Sequence, residues 1–190
     1  MTPQDFLSSS VWVMKMMTYF QVMDVNQNGF LSLSDYEQVA DRLIQQQNDP
    51  SKSEEIHKVF HSLFTNFVAG GEPEKNGQVD PETFLANAAK AVSSMQSAPE
   101  AGRKKNEVFF DFIDTDSSGV ISQKEYRKYL AIYSGEENPS RADQAFASMD
   151  LDGDDIITRD EFVEGHMRYW FELNSDPAGQ PLPYGPLVDL

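Results

Sequence analysis

Four times along the chain, twelve residues rich in Asp, Asn, Ser and Gly separate two amphipathic runs: DVNQNGFLSLSD at 24–35, EPEKNGQVDPET at 72–83, DTDSSGVISQKE at 114–125 and DLDGDDIITRDE at 150–161. A repeat of this length commits a chain to stacked copies of one supersecondary unit, because no copy can bury its apolar face alone. The apolar positions agree in every copy. Position 8 of the loop is Leu31, Val79, Ile121 or Ile157, and the residue after it is Tyr36, Phe84, Tyr126 or Phe162. An aliphatic residue at position 8 suits a short antiparallel strand that pairs one loop with the next. Phe20, Phe110 and Phe146 stand four residues before the first Asp of their loops, with Met23, Ile113 and Met149 one residue before it. Each such pair shares one helix face and points at a common core.

The periodicity predicts helices over 5–23, 33–47, 52–69, 81–96, 101–113, 123–133, 139–149 and 159–172, hence an all-α chain with short β pairing between loops. The stretch Ser97–Gly102, which contains Pro99, separates an N-terminal pair of units (1–97) from a C-terminal pair (98–190). So short a joint favours two halves packed into one globule. Residues 173–190 carry Pro177, Pro181, Pro183 and Pro186 and cannot continue as an ordinary helix.

The loops are built for a hard cation. Calcium takes six to eight oxygen ligands, and a twelve-residue loop of the EF-hand kind offers them from positions 1, 3, 5, 7, 9 and 12, position 7 through its carbonyl. The third loop supplies Asp114, Asp116, Ser118, the Val120 carbonyl and Glu125, with Gly119 at the sharp turn. In the fourth, Asp150, Asp152, Asp154, the Ile156 carbonyl and Glu161 stand in register, but the turn position is Asp155, one of the few residue types besides glycine that tolerates positive φ. The first supplies Asp24, Asn26, Asn28, the Phe30 carbonyl and, at position 12, Asp35 in place of Glu. A shorter carboxylate clamps less readily in bidentate fashion, which points to a site shared between calcium and magnesium. The second loop starts at Glu72, carries two prolines and ends on Thr83, so it is expected to be a structural partner without metal.

Charge narrows the partners. The chain has 31 acidic against 15 basic residues, a net charge of -16, which excludes a phosphate-neutralising surface for nucleic acid or anionic membrane. The apolar run Val11–Phe20 is interrupted by Lys15 and is too short to span a bilayer. With no cysteine there is no disulfide, and a cytoplasmic monomer is expected. No nucleophile–base pair or phosphate loop stands out, so no catalysis is expected.

The segment VWVMKMMTYF before the first loop and the ending YGPLVDL resemble the sarcoplasmic calcium-binding proteins of invertebrate muscle and nerve. That resemblance implies a compact calcium and magnesium buffer of four EF-hands, with metal at the first, third and fourth loops and a tail folded back onto the core. The chain is also similar to the calcium-regulated photoproteins and luciferin-binding proteins. His166, Trp170 and Tyr184 follow the order of the residues that hold a luciferin in photoproteins, although Met16 stands where those proteins have a further His. Phe162, His166, Tyr169 and Trp170 recur at helical spacing, as a core-facing stripe does, and packing is the reading taken for them. Met14, Met16, Met17 and Met23 are likewise read as core. The function expected is a buffer, with a coelenterazine-binding or photoprotein-like role, or a sensor that opens for partners, as the alternatives. The remaining histidines, His57 and His61, fall on the helix before the silent loop.

Overall fold

The computed structural model describes residues 1–47, 50–73, 77–96, 99–135, 137–173 and 179–188. Local signals start most of its helices. Thr2 and Asp5 form a capping box ahead of α1 (Pro3–Leu7), and Ser9 accepts the Trp12 amide to begin α2 (Ser10–Met23). The single helix expected over 5–23 is thus two. The break falls at Ser8–Ser9, where hydroxyls compete for backbone groups and Phe6 folds against the Trp12 ring at 5.2 Å. Next come β1 (Leu31–Ser32), α3 (Leu33–Gln47), a 3₁₀ turn at Pro50–Lys52 and α4 (Ser53–Leu63).

The run expected as one helix over 52–69 changes pitch, since Phe64–Val68 form a π turn closed by the Ala69 amide on the Phe64 carbonyl. The Asn87 side chain donates to the Val68 carbonyl and satisfies a group that the wider turn releases. After β2 (Gln78–Val79), α5 (Pro81–Met95) starts on the Asp80 cap with Pro81 in its first turn. α6 (Pro99–Ile113) begins two residues earlier than expected, so Pro99–Gly102 form its first turn; residues 97–98 of the expected joint lie outside the described residues. β3 (Val120–Ser122), α7 (Gln123–Ser134), α8 (Pro139–Met149), β4 (Ile156–Thr158) and α9 (Arg159–Phe171) complete the order.

The position-8 residues meet as the repeat requires. β1 pairs antiparallel with β2 through Leu31 and Val79, and β3 pairs with β4 through Ile121 and Ile157. One apolar cluster runs through both halves, joining Met16, Tyr36 and Phe84 to Phe110, Tyr126 and Tyr169. Polar side chains lace the same seam. Arg42 of α3 donates to the Ile132 and Tyr133 carbonyls at the end of α7, at 2.9 and 2.8 Å. Trp12 Nε1 and Lys15 Nζ of α2 reach the Trp170 and Glu172 carbonyls that α9 leaves without partners in its last turn, at 3.0 and 3.3 Å.

The tail folds back over this core. The Tyr126 hydroxyl donates to the Pro183 carbonyl at 2.9 Å, the Leu182 amide to Ser148 Oγ at 2.9 Å and Arg141 Nε to the Tyr184 carbonyl at 2.8 Å. Gly185, at φ 90°, permits the approach of Arg141, because a Cβ there would lie 2.6 Å from Arg141 Cγ. Among the described residues no helix is long and apolar enough to cross a membrane.

Candidate functional site

Each ligand-bearing loop is closed by hydrogen bonds from its own backbone to its own carboxylates. In the third, Asp114 accepts the Ser118 and Gly119 amides, both at 2.9 Å, and the oxygens of Asp114, Asp116 and Glu125 lie within 4.8 Å of one another. Burial would raise the Glu125 carboxyl, but the amides and hydroxyls of Ser122 and Thr115 outweigh it and hold the group below its usual range. Ser118 donates to Asp116 and lowers that carboxyl too. The result is a convergent set of hard oxygens, which fits calcium.

The fourth loop brings Asp150, Asp152 and Asp154 within 4.8 Å, while Glu161 accepts the Leu151 and Thr158 amides at 2.9 and 2.8 Å. Here the electrostatics differ. Desolvation and the charges of Asp154, Glu161 and Asp150 raise the Asp152 carboxyl, so this loop carries repulsion that a cation would relieve. In the first loop Asp24 accepts the Asn28 and Gly29 amides at 3.1 and 2.8 Å. Asp35, fully buried, accepts from Ser32 at 2.9 Å and from the Asn26 amide at 2.6 Å. The Asn28 side chain accepts the Phe30 amide at 2.9 Å, and Phe30 itself is 41% exposed.

Backbone conformation explains how Asp155 is tolerated. The first, third and fourth loops turn left-handed twice, at positions 4 and 6: Gln27 and Gly29, Ser117 and Gly119, Gly153 and Asp155. Each contains one glycine, and the fourth has moved it to position 4, leaving φ 66° to Asp155. The second left-handed position was not anticipated from the sequence, although the Gly153-for-Asp155 exchange is its visible trace.

The second loop inverts a pair that the others share. In the first, third and fourth loops, the hydroxyl of Ser32, Ser122 or Thr158 at position 9 donates to the carboxylate at position 12, each at 2.7 Å. In the second, position 9 is the carboxylate Asp80 and position 12 the hydroxyl of Thr83, which donates to it at 2.8 Å. The carboxylate therefore sits at the N-cap of α5, where the amides of Glu82 and Thr83 take it, and no anion stands at the clamp position. Glu74, Lys75 and Asn76 of this loop lie outside the described residues.

One part of the core is not filled. A cavity of about 270 Å³ is lined by His166 and Trp170 of α9, Tyr184 of the tail, Tyr129 and Tyr133 of α7, and apolar side chains of α4 to α6. The Tyr184 ring lies 6.2 Å from His166 and 6.4 Å from Trp170, and Tyr19 closes the group at 5.2 Å from Trp170. The stripe expected to pack is thus divided. Phe162 and Tyr169 are fully buried in the core, whereas His166 and Trp170 face the cavity.

The His166 Nδ1 proton goes to the Phe162 carbonyl at 2.9 Å, so Nε2 is left as an acceptor. Burial pushes the ring down to about 4, and it is neutral at physiological pH. Tyr133 donates to Tyr129 at 2.9 Å, and burial raises the Tyr129 hydroxyl to about 12. An apolar, aromatic space with a few fixed polar atoms can select a flat small molecule that donates to His166. Sequence reasoning missed Tyr129 and Tyr133, whose spacing is that of any buried helix face.

Comparison with known proteins agrees with this geometry. Residues 103–166 match the model of an EF-hand domain pair and residues 16–40 that of a single EF hand. Mitrocomin of Mitrocoma cellularia is 25% identical over 186 residues, with 93% of this chain and 89% of that one covered. The sarcoplasmic calcium-binding protein of Hediste diversicolor is 30% identical over 124 residues, covering 62% of this chain and 67% of that protein. The calcium-loaded apo form of the coelenterazine-binding protein of Renilla muelleri superposes with a TM-score of 0.65 at 25% identity, over 92% of this chain and 95% of that one. The chain belongs to the EF-hand calcium-binding proteins, and within them it is related to sarcoplasmic calcium-binding proteins, photoproteins and coelenterazine-binding proteins.

Proposed function

We propose that this EF-hand protein carries a small aromatic ligand of the coelenterazine class under the control of calcium. The observation that carries the reading is the cavity in which His166, Trp170 and Tyr184 converge. A chain whose only task was to store ions would gain stability by filling that volume. Calcium is taken at three loops: by Asp24, Asn26, Asn28, Phe30 and Asp35; by Asp114, Asp116, Ser118, Val120 and Glu125; and by Asp150, Asp152, Asp154, Ile156 and Glu161. The first loop also accepts magnesium, because Asp35 is shorter than the Glu that closes the third and fourth loops. The halves 1–97 and 98–190 act as one body across the cavity, in a cytoplasmic monomer that uses neither nucleic acid nor membrane. Catalysis is no part of this reading.

The buffer is the second reading, favoured by the identity to a sarcoplasmic calcium-binding protein and by a tail that covers the core. Titrating coelenterazine into the purified chain, followed by tryptophan fluorescence, separates the two. A carrier binds one equivalent in chelator and releases it, or binds it more weakly, in calcium. It also loses affinity on His166→Phe or Tyr184→Phe. Absence of binding in both states, with calcium uptake intact, leaves the buffer.

A further inference from the structure

The wall that α6 gives to the cavity is not wholly apolar. Gly102, Lys105, Asn106 and Phe109 follow helical spacing and line it together. Asn106 is only 9% exposed, and Lys105 is half-buried. Among the described residues neither side chain has a hydrogen bond or an ion pair. The chain has 31 acidic residues, yet none of those described lines this cavity. Burial alone lowers the Lys105 amine, with no neighbouring carboxylate to offset it.

A lysine at the edge of an apolar space can extend its ammonium to water, but Asn106 has no such outlet. A buried amide without a partner costs free energy, so its donors call for an acceptor inside the cavity. The other polar atoms there do not supply one. His166 gives its Nδ1 proton to the Phe162 carbonyl, and the Tyr133 hydroxyl is spent on Tyr129. A cation and an amide side by side, walled by aromatic rings, match an ionised oxygen acid on an apolar body. A neutral occupant would leave Lys105 without a counter-charge in a space that excludes water.

Resting on the reading that the cavity holds a small aromatic ligand, we propose that this ligand is an aromatic acid, its ionised oxygens held by Lys105 and Asn106 and its rings by Trp170, Tyr184 and Phe109. The test titrates two fluorescent probes of one skeleton into the full-length protein in chelator: anilinonaphthalene sulfonate and the uncharged phenylnaphthylamine. Both are expected to bind once per chain and to displace each other. Lys105→Met should weaken the sulfonate roughly tenfold more than the uncharged probe, as loss of one charge-assisted hydrogen bond does. Asn106→Leu should act in the same direction by several-fold, and Lys105→Arg should keep most of the sulfonate affinity. Circular dichroism and calcium uptake establish that each variant is folded. Equal effects of Lys105→Met on the two probes overturn the proposal and leave the cavity reading standing. A sulfonate that the uncharged probe cannot displace lies outside the cavity and overturns it as well. Failure of both probes to bind overturns the cavity reading, and this proposal falls with it.

Discussion

Single residues decide how the three complete loops differ. Gly153 and Asp155 share the two left-handed positions of the fourth loop at unequal cost. Gly153→Ala should destabilise the calcium-loaded protein by about 1 kcal/mol, because a Cβ is forced into φ 77°. Asp155→Gly, which trades relieved strain for lost chain stiffness, should stay within about 0.5 kcal/mol; chemical denaturation in calcium measures both. Asp35→Glu in the first loop should strengthen calcium and weaken magnesium there, and unchanged magnesium affinity by calorimetry would remove the shared-site assignment. His166 offers a proton-linked test away from the loops. Its ring titrates at about 4 when folded and near 6.5 when exposed, so between those values the unfolded chain binds more protons. Stability is therefore full above pH 6.5 and declines as pH falls toward 4, by up to ~3 kcal/mol. In chelator, melting of His166→Gln should fall less steeply than wild type across that window; equal slopes would show that His166 takes no part.

At the scale of elements, the helices begin where local chemistry says they should. Ser122 with Glu125 and Thr158 with Glu161 are capping boxes that also hold the position-12 carboxylates in place, so one pair of residues starts a helix and aims a ligand. That is why the starts of α7 and α9 were legible in the sequence, as were that of α8, from Asn138 and Pro139, and the pairing of β3 with β4. The π turn at Phe64–Val68 was not, because the amide that supports it comes from Asn87 on another helix. The break between α1 and α2 was missed because Phe6 had to meet Trp12 for it to make sense. The seam between halves likewise depends on long-range partners. Arg42→Met removes both donors to the last turn of α7 and leaves the Ile132 and Tyr133 carbonyls short of partners. A loss of about 1–3 kcal/mol is expected, read by denaturation in calcium and in chelator alike.

For the whole molecule, the cavity was the least legible feature, since Tyr129, Tyr133 and Trp170 follow the same spacing as residues that pack solid. Only the order of His166, Trp170 and Tyr184 hinted at it. The tail supplies one wall, so a chain ending at Gly179 should lose the ~2 kcal/mol that burying Tyr184 contributes. It should also bind a hydrophobic dye with or without calcium, whereas the intact protein binds little in at least one state. Tyr184 is held through its carbonyl by Arg141 of α8, and Leu182 by Ser148 of the same helix, while His166 and Trp170 ride on α9. The two opposing walls are therefore fastened to the two arms of one hand, with the fourth loop as their common joint. Any ion that resets the angle between those arms does work on the contents of the chamber, and thermodynamics makes the exchange mutual. If, as proposed, the cavity holds a ligand, whatever factor calcium imposes on that occupant the occupant imposes on calcium. Two titrations run in opposite order must then return the same number.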